Sequence, residues 1–104
     1  MATPSLTPEQ RAAALRKATA VRSARRSFKD AIIRGEIRVG DAIAAAKADE
    51  GLAGIRVHDL LQCLPGVGPK RADVMMAELG IASSRRIRGL GEHQVAALVR
   101  RVES

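Results

Sequence analysis

The sequence has almost no aromatic residues: its 104 residues include one phenylalanine, Phe28, and neither tryptophan nor tyrosine. Proteins that hold single-stranded nucleic acids usually stack the exposed bases on several aromatic side chains. A basic helix that lies on a membrane surface likewise needs Trp, Phe or Leu on its opposite face. One phenylalanine can build neither a stacking surface for bases nor the apolar face of a membrane-bound helix, so the composition argues against both classes of protein.

Cysteine and long apolar segments are equally scarce. Cys63 is the only cysteine, so no internal disulfide can form, and no apolar run or signal-peptide pattern opens the chain. We expect a cytoplasmic protein in which Cys63 is a small core residue. His58 and His93 are 35 residues apart and have no second cysteine nearby, so their spacing is not that of a metal site. No metal or cofactor is expected.

Positive charge is what the sequence has in excess. Lys and Arg total 18 against 11 Asp and Glu, which gives a net charge of +7, and most of the basic residues are arginine. Eight basic and two acidic residues fall in 1–35, three and five in 36–64, and seven and four in 65–104. Because the planar guanidinium pairs well with phosphate oxygens, two basic ends rich in arginine favour a polyanionic partner.

Apolar residues recur with helical spacing, and no segment alternates as a strand does. Thr7-Pro8-Glu9-Gln10 is a capping box, which predicts a long helix from Pro8 to about Arg34 with Gly35 as its stop. Four further helices are predicted: over 41–47, around the apolar stripe Val57, Leu60, Leu61 and Leu64, around Ala72, Met75, Met76 and Leu79, and from about Glu92 onward. Gly51 and Gly54 are expected to break the chain between the 41–47 helix and the stripe that begins at Val57. The prediction is a small all-α single domain of about five to six helices with a long N-terminal helix.

The long helix is predicted to be unequal along its length. In its second half a helical wheel gathers Val21, Ala24, Phe28, Ala31 and Ile32 on one face, with Arg22, Arg25, Arg26 and Lys29 largely opposite. Its first half has Leu15 as its one large apolar residue. Residues 1–18 are therefore expected to form a basic N-terminal arm that continues into the helix, and residues 19–104 a single helical domain.

Residues 64–72, Leu-Pro-Gly-Val-Gly-Pro-Lys-Arg-Ala, carry the most informative motif. A Pro-Gly turn ends one apolar stripe, and a second glycine precedes the proline that opens the next helix. Two glycines let the backbone take positive φ and approach a ligand, Val67 plugs inward, and backbone amides at a helix start favour an anion. The third glycine of a dinucleotide site and the Gly-Lys pair of a P-loop are both missing. The residues expected to bind phosphate are Gly66, Val67, Gly68, Lys70 and Arg71.

A second basic motif, Ser83-Ser84-Arg85-Arg86-Ile87-Arg88-Gly89-Leu90-Gly91, lies one helix later. We expect Ser83 or Ser84 to cap a single helical turn in which Ile87 anchors inward and Arg85 and Arg88 share a face. Three arginines so close repel one another unless an anion neutralises them. The pattern predicts a second phosphate contact through Arg85, Arg86 and Arg88.

The stretch 64–72 resembles the hairpin of the helix-hairpin-helix family. Together with 6–15 and 85–91, in this order and spacing, it also resembles the actinobacterial integration host factor, with His58 and Pro69 as departures from the pattern and residues 36–54 matching loosely. The resemblance implies a nucleoid-associated protein that binds double-stranded DNA with little sequence preference, alters its shape and supports phage integration. It places the contacts on Gly66, Val67, Gly68, Lys70, Arg85, Arg86 and Arg88.

We therefore expect a non-enzymatic DNA-binding protein of the nucleoid, monomeric and free of membranes, with a phage integrase as a further partner on shared DNA. An RNA- or ribosome-associated protein is the alternative, since a ribosomal small-subunit head protein uses a related hairpin and arginine turn. A DNA glycosylase with the same hairpin is disfavoured, because one aromatic residue cannot line a pocket for a flipped base.

Overall fold

The structure, a computed structural model, describes residues 5–103 as an all-helical domain, which confirms the predicted fold class. Six α-helices and one 3-10 turn make up this part of the chain. Within it the one β pairing is an isolated antiparallel bridge between Arg56 and Arg86. The elements are α1 (Pro8–Ile33), α2 (Val39–Lys47), α3 (Glu50–Ala53), α4 (Val57–Leu61), α5 (Pro69–Leu79), the 3-10 turn Ile87–Gly89, and α6 (Glu92–Glu103).

The capping signals at both ends of α1 are confirmed. The Thr7 hydroxyl accepts from the Gln10 amide at 3.1 Å, and the Gln10 side chain accepts from the Thr7 amide at 2.9 Å. At the other end Gly35 adopts φ +73°, a left-handed conformation that suits glycine. Its neighbour Glu36 donates its amide to the Ala31 carbonyl at 2.9 Å, which closes the helix.

The packed face of α1 differs from the predicted one. Val21, Phe28 and Ile32 face the domain as expected, but Ala24 is exposed and Arg25 is half-buried in its place. Spacings of four, three and four residues keep positions 21, 25, 28 and 32 in one stripe, and the long stem of Arg25 can cover apolar surface while its head finds a polar partner. The N-terminal half of the helix stays uncovered, and Leu15 is 67% exposed.

The core lies between α2, α4, α5 and α6. The stripe predicted for α4 is confirmed, because Val57, Leu60 and Leu61 are fully buried, although the helix ends at Leu61 and Leu64 lies in the turn that follows. Burying a leucine completely contributes about 1.5–3 kcal/mol relative to leaving it in water. Cys63 is a core residue as predicted; burial raises the pKa of its thiol, which donates to the Asp59 carbonyl.

Gly51 does not break the chain as predicted. It lies inside α3, and Gly54 caps that short helix at its C-terminal end. Both glycines serve close packing. A Cβ on Gly51 would sit 3.4 Å from Val21, and a Cβ on Gly54 would come within 2.6 Å of the Arg25 guanidinium. Without side chains at these positions, α3 can lie directly against α1.

Candidate nucleic-acid interface

The hairpin between α4 and α5 has the predicted shape, with two differences. Gly66 adopts φ +74° and Val67 packs partly buried against the core. Gly68, by contrast, has φ −93° and ψ −176°, an extended backbone open to any residue. The Val67 amide donates to the Leu64 carbonyl at 3.2 Å, so it is held inside the turn and is not directed outward.

Gly68 is the N-cap residue of α5, and neither its backbone conformation nor its packing requires glycine. No atom lies within 4 Å of the position where its Cβ would stand, and its φ does not favour glycine. Pro69 occupies the first helical position, so the next amides of the first turn belong to Lys70 and Arg71 and have no partner within the helix. Both residues are exposed. The helix start therefore offers amides, dipole and two cations to an approaching anion.

His58 holds the start of α5 against α4. Its Nε2 lies 3.1 Å from the Pro69 carbonyl oxygen and 2.9 Å from Oδ1 of Asp73, and its Nδ1 lies 3.0 Å from Nε2 of Gln62. The two departures from the family pattern, His58 and Pro69, are thus in contact. This arrangement was not predicted from the sequence, because His58 and Pro69 are 11 residues apart and follow no motif.

The arginine motif is held by backbone pairing, not by a serine cap. The Val57 amide donates to the Arg85 carbonyl and the Ile87 amide to the Ile55 carbonyl, both at 2.9 Å. The predicted cap is wrong: the turn begins at Ile87, its N-cap is Arg86, and no side chain caps it. Arg85 and Arg86 precede the turn because this pairing keeps the backbone extended.

Buried contacts anchor this turn. Ile87 is fully buried, which confirms its predicted role as the inward anchor. The Lys47 ammonium, at the end of α2, donates to the Leu90 carbonyl. Arg85 Nη1 donates to the Gly89 carbonyl at 2.9 Å, and a Cβ on Gly89 would come within 3.0 Å of the Arg85 side chain. The glycine therefore lets Arg85 fold back across the turn.

Arg86 and Arg88 meet two cations of α1 in a depression between α1, α3 and the turn. We call the group Lys17, Arg25, Arg86 and Arg88 the basic cleft; Val21, Glu50, Gly51 and Gly54 complete the lining of a cavity of about 220 Å³. Arg25 Nε donates to the Gly51 carbonyl at 2.9 Å, and Arg86 Nη1 donates to the Gly54 carbonyl. These bonds fix both guanidinium groups and leave further N–H donors on each.

The structure groups the predicted site residues in a way that the sequence did not indicate. Arg86 and Arg88 line the basic cleft, whereas Arg85, which was expected to share a face with Arg88, is not part of its lining. Arg71 lies in a shallow groove with Val67, Arg101 and Val102, beside the C-terminal end of α6. Lys17 and Arg25 were not predicted. Their spacing of eight residues on a helix gives a shared face, but Arg86 and Arg88 lie more than 60 residues further along the chain.

Residues 5–103 hold neither a candidate metal site nor a helix able to span a membrane. No group of three or more His, Cys, Asp or Glu side chains is placed to hold a metal ion in this part of the chain. No helix in the same range combines the length and the apolar character needed to span a bilayer.

Comparison with known proteins gives consistent matches. Residues 32–102 match the family described as the S13-like H2TH domain. The integration host factor of Mycobacterium tuberculosis is 47% identical over 104 residues, covering 100% of this chain and 99% of its own. That of Mycolicibacterium smegmatis is 47% identical over 103 residues, covering 99% and 98%, and that of Streptomyces coelicolor is 45% identical over 100 residues, covering 96% and 94%.

A solved structure is also similar, namely the one described as sIHF bound to an 8-base-pair palindromic DNA. The two chains superpose with a TM-score of 0.81 at 37% sequence identity, over 84% of this chain and 98% of the other. The identities extend along the whole sequence and the fold agrees with that of a solved relative. The chain therefore belongs to the actinobacterial integration host factor family.

Proposed function

We propose that this protein is a non-enzymatic, architectural protein that binds double-stranded DNA through its phosphate backbone and changes the path of the duplex. The observation that carries the proposal is the similarity, over 84% of the chain, to a relative solved with DNA bound. The net charge of +7 and the one aromatic residue support it, since they favour phosphate contacts over base stacking.

The hairpin is proposed to bind one run of phosphates. Gly68 gives the DNA backbone room to approach, and the amides of Lys70 and Arg71 donate to phosphate oxygens while their side chains add charge. Gly66 supplies the left-handed turn. Val67 contributes through its inward side chain, because its amide is already bonded to Leu64.

The basic cleft is proposed to bind a second stretch of the duplex. Arg25 and Arg86 are pre-positioned by their bonds to α3 carbonyls, so little side-chain entropy is lost when they bind an anion. A narrow minor groove concentrates negative potential and attracts arginine, which makes it a suitable ligand for Arg86 and Arg88. Arg85 is proposed to contact the adjacent backbone at the edge of the turn.

The exposed N-terminal half of α1 is proposed to extend this surface. Arg11, Arg16 and Lys17 lie on a part of the helix that packs little against the domain. We propose that residues 1–18 form a basic arm and residues 19–104 the domain; residues 1–4 of the arm and residue 104 of the domain lie outside the described residues. Because α1 is continuous from Pro8, the arm would act as a helix when it contacts DNA.

We further propose that the protein is a monomer in the nucleoid, within the cytoplasm, and that it acts on DNA alone or beside a phage integrase. A base-processing activity is not proposed. Phe28 packs against the core, and four of the eight residues that line the basic cleft are cations, which suit phosphate better than an extruded base.

Competition between nucleic acids tests the proposal against the RNA alternative. A labelled random-sequence duplex DNA, bound to the protein, is titrated with unlabelled duplex DNA or with a stem-loop RNA of equal length. We expect DNA to displace the label at a concentration at least about tenfold lower than RNA, a difference of about 1.4 kcal/mol. If the RNA competes as well as the DNA or better, the assignment to DNA is wrong.

A further inference from the structure

The α5 start carries one negative charge close to its cations. Asp73 is the fifth residue of the helix, which places it about 6 Å along the axis from Pro69. That separation is shorter than the Debye length of about 8 Å at physiological ionic strength, so the carboxylate is felt by an anion bound at the helix start. Its side chain is 65% exposed, and its contact is with His58.

His58 can hold Asp73 in either of two charge states. With Nε2 of Gln62 donating to Nδ1, the hydrogen of neutral His58 lies on Nε2, which donates to the Pro69 carbonyl and the Asp73 carboxylate. When His58 gains a proton, the Nε2 contact becomes an ion pair. Gln62 Nε2, which also donates to the His58 carbonyl at 3.3 Å, gives up both of its bonds if the amide turns so that its oxygen accepts from Nδ1. Protonation thus offsets the charge of Asp73.

The other charged groups around His58 have different partners. Of the charged residues on α5, Lys70 and Arg71 are exposed at the helix start and Glu78 pairs with Arg101 at 3.1 Å. The 85–87 segment pairs with 55–57 just before His58, but Arg85 and Arg86 direct their charged groups to the Gly89 and Gly54 carbonyls. On its own helix, Asp59 follows His58; its backbone carbonyl accepts from the Cys63 thiol, and its carboxylate adds to the burial that raises the pKa of that thiol.

We propose that the His58–Asp73 pair sets the affinity of the hairpin for DNA according to the protonation of His58. This inference rests on the proposed function. With His58 neutral, the Asp73 carboxylate repels the phosphate at the helix start. With His58 protonated, the pair is neutral overall, and a bound phosphate in turn favours the proton on His58. DNA affinity therefore rises as pH falls between about 8 and about 5.5, the range in which histidines change charge.

The test compares duplex DNA binding at pH 8.0 and pH 6.0 at constant ionic strength in four proteins. The wild type is expected to bind roughly three- to fivefold more tightly at the lower pH. H58Q, which keeps a side-chain N–H donor but cannot become charged, is expected to lose most of this difference. D73N is expected to bind roughly threefold more tightly than the wild type at pH 8.0. H93Q removes the other histidine, which is exposed, and should keep the full difference.

The wild type and the variants together separate this inference from the proposed function. If H58Q keeps the wild-type pH response, or if D73N gains no affinity at pH 8.0, the inference is wrong while the DNA-binding proposal stands. If the wild type binds no duplex DNA at either pH, both are wrong.

Discussion

Replacing Gly68 with glutamate is expected to weaken binding to duplex DNA at least tenfold, about 1.4 kcal/mol, while the fold is unchanged. The position tolerates a side chain, because no atom lies within 4 Å of its Cβ site and its backbone is extended. The new carboxylate would occupy the space that the phosphate needs and would compete for the Lys70 and Arg71 amides. Fluorescence anisotropy with a random-sequence duplex measures the loss, and circular dichroism checks the helices.

Two controls separate position from charge. Ala44→Glu adds the same charge at an exposed site on α2, so it should weaken binding far less than Gly68→Glu. Gly68→Gln adds similar bulk without charge and should give an intermediate loss. If Gly68→Glu folds normally and binds as the Ala44→Glu protein does, residues 64–72 are a turn between helices and do not bind DNA.

Replacing Arg85, Arg86 and Arg88 together with alanine is expected to abolish bending or compaction of DNA, even when protein concentration is raised until occupancy matches the wild type. Arginines inserted into a narrow groove change the path of the duplex, whereas contacts that only coat phosphates add affinity. Single-molecule imaging of long DNA at matched occupancy measures the effect. Affinity and bending should therefore separate in this variant.

Smaller variants locate the effect within the turn. Arg86 and Arg88 line the basic cleft and Arg85 does not, so R86A/R88A should lose the bends and R85A should keep most of them. R22A/R26A removes two exposed arginines of α1 that do not line the cleft and should also keep them. Bends that persist in R86A/R88A at matched occupancy would place the origin of the deformation elsewhere, first of all on the basic surface of α1.

The helices and the hairpin could be predicted because their determinants are local. The Thr7 capping box, the α4 stripe, and the glycines at 35 and 66 each act within a few residues of the structure they specify. The arginine motif likewise indicated Ile87 as an inward anchor, and Ile87 is buried. The resemblance to a known family then assigned a function to a hairpin that, as a pattern alone, is also compatible with a plain turn.

The errors came from interactions between distant parts of the chain. Arg25 was predicted to face solvent, but its guanidinium bonds to the Gly51 carbonyl of α3, 26 residues away. The serine cap was a reasonable local prediction, but pairing of 85–87 with 55–57 kept the backbone extended and moved the turn to Ile87. No local sequence pattern predicts that Lys17 and Arg88 line the same cleft.

We propose that phosphate contacts made by the hairpin and the basic cleft dominate DNA binding. The dependence of the binding constant for random-sequence duplex DNA on salt concentration tests this. With roughly four to six phosphates neutralised, log K against log salt should have a slope of about −4 to −5. A slope near zero, with binding that persists undiminished at high salt, would show that phosphate contacts do not dominate.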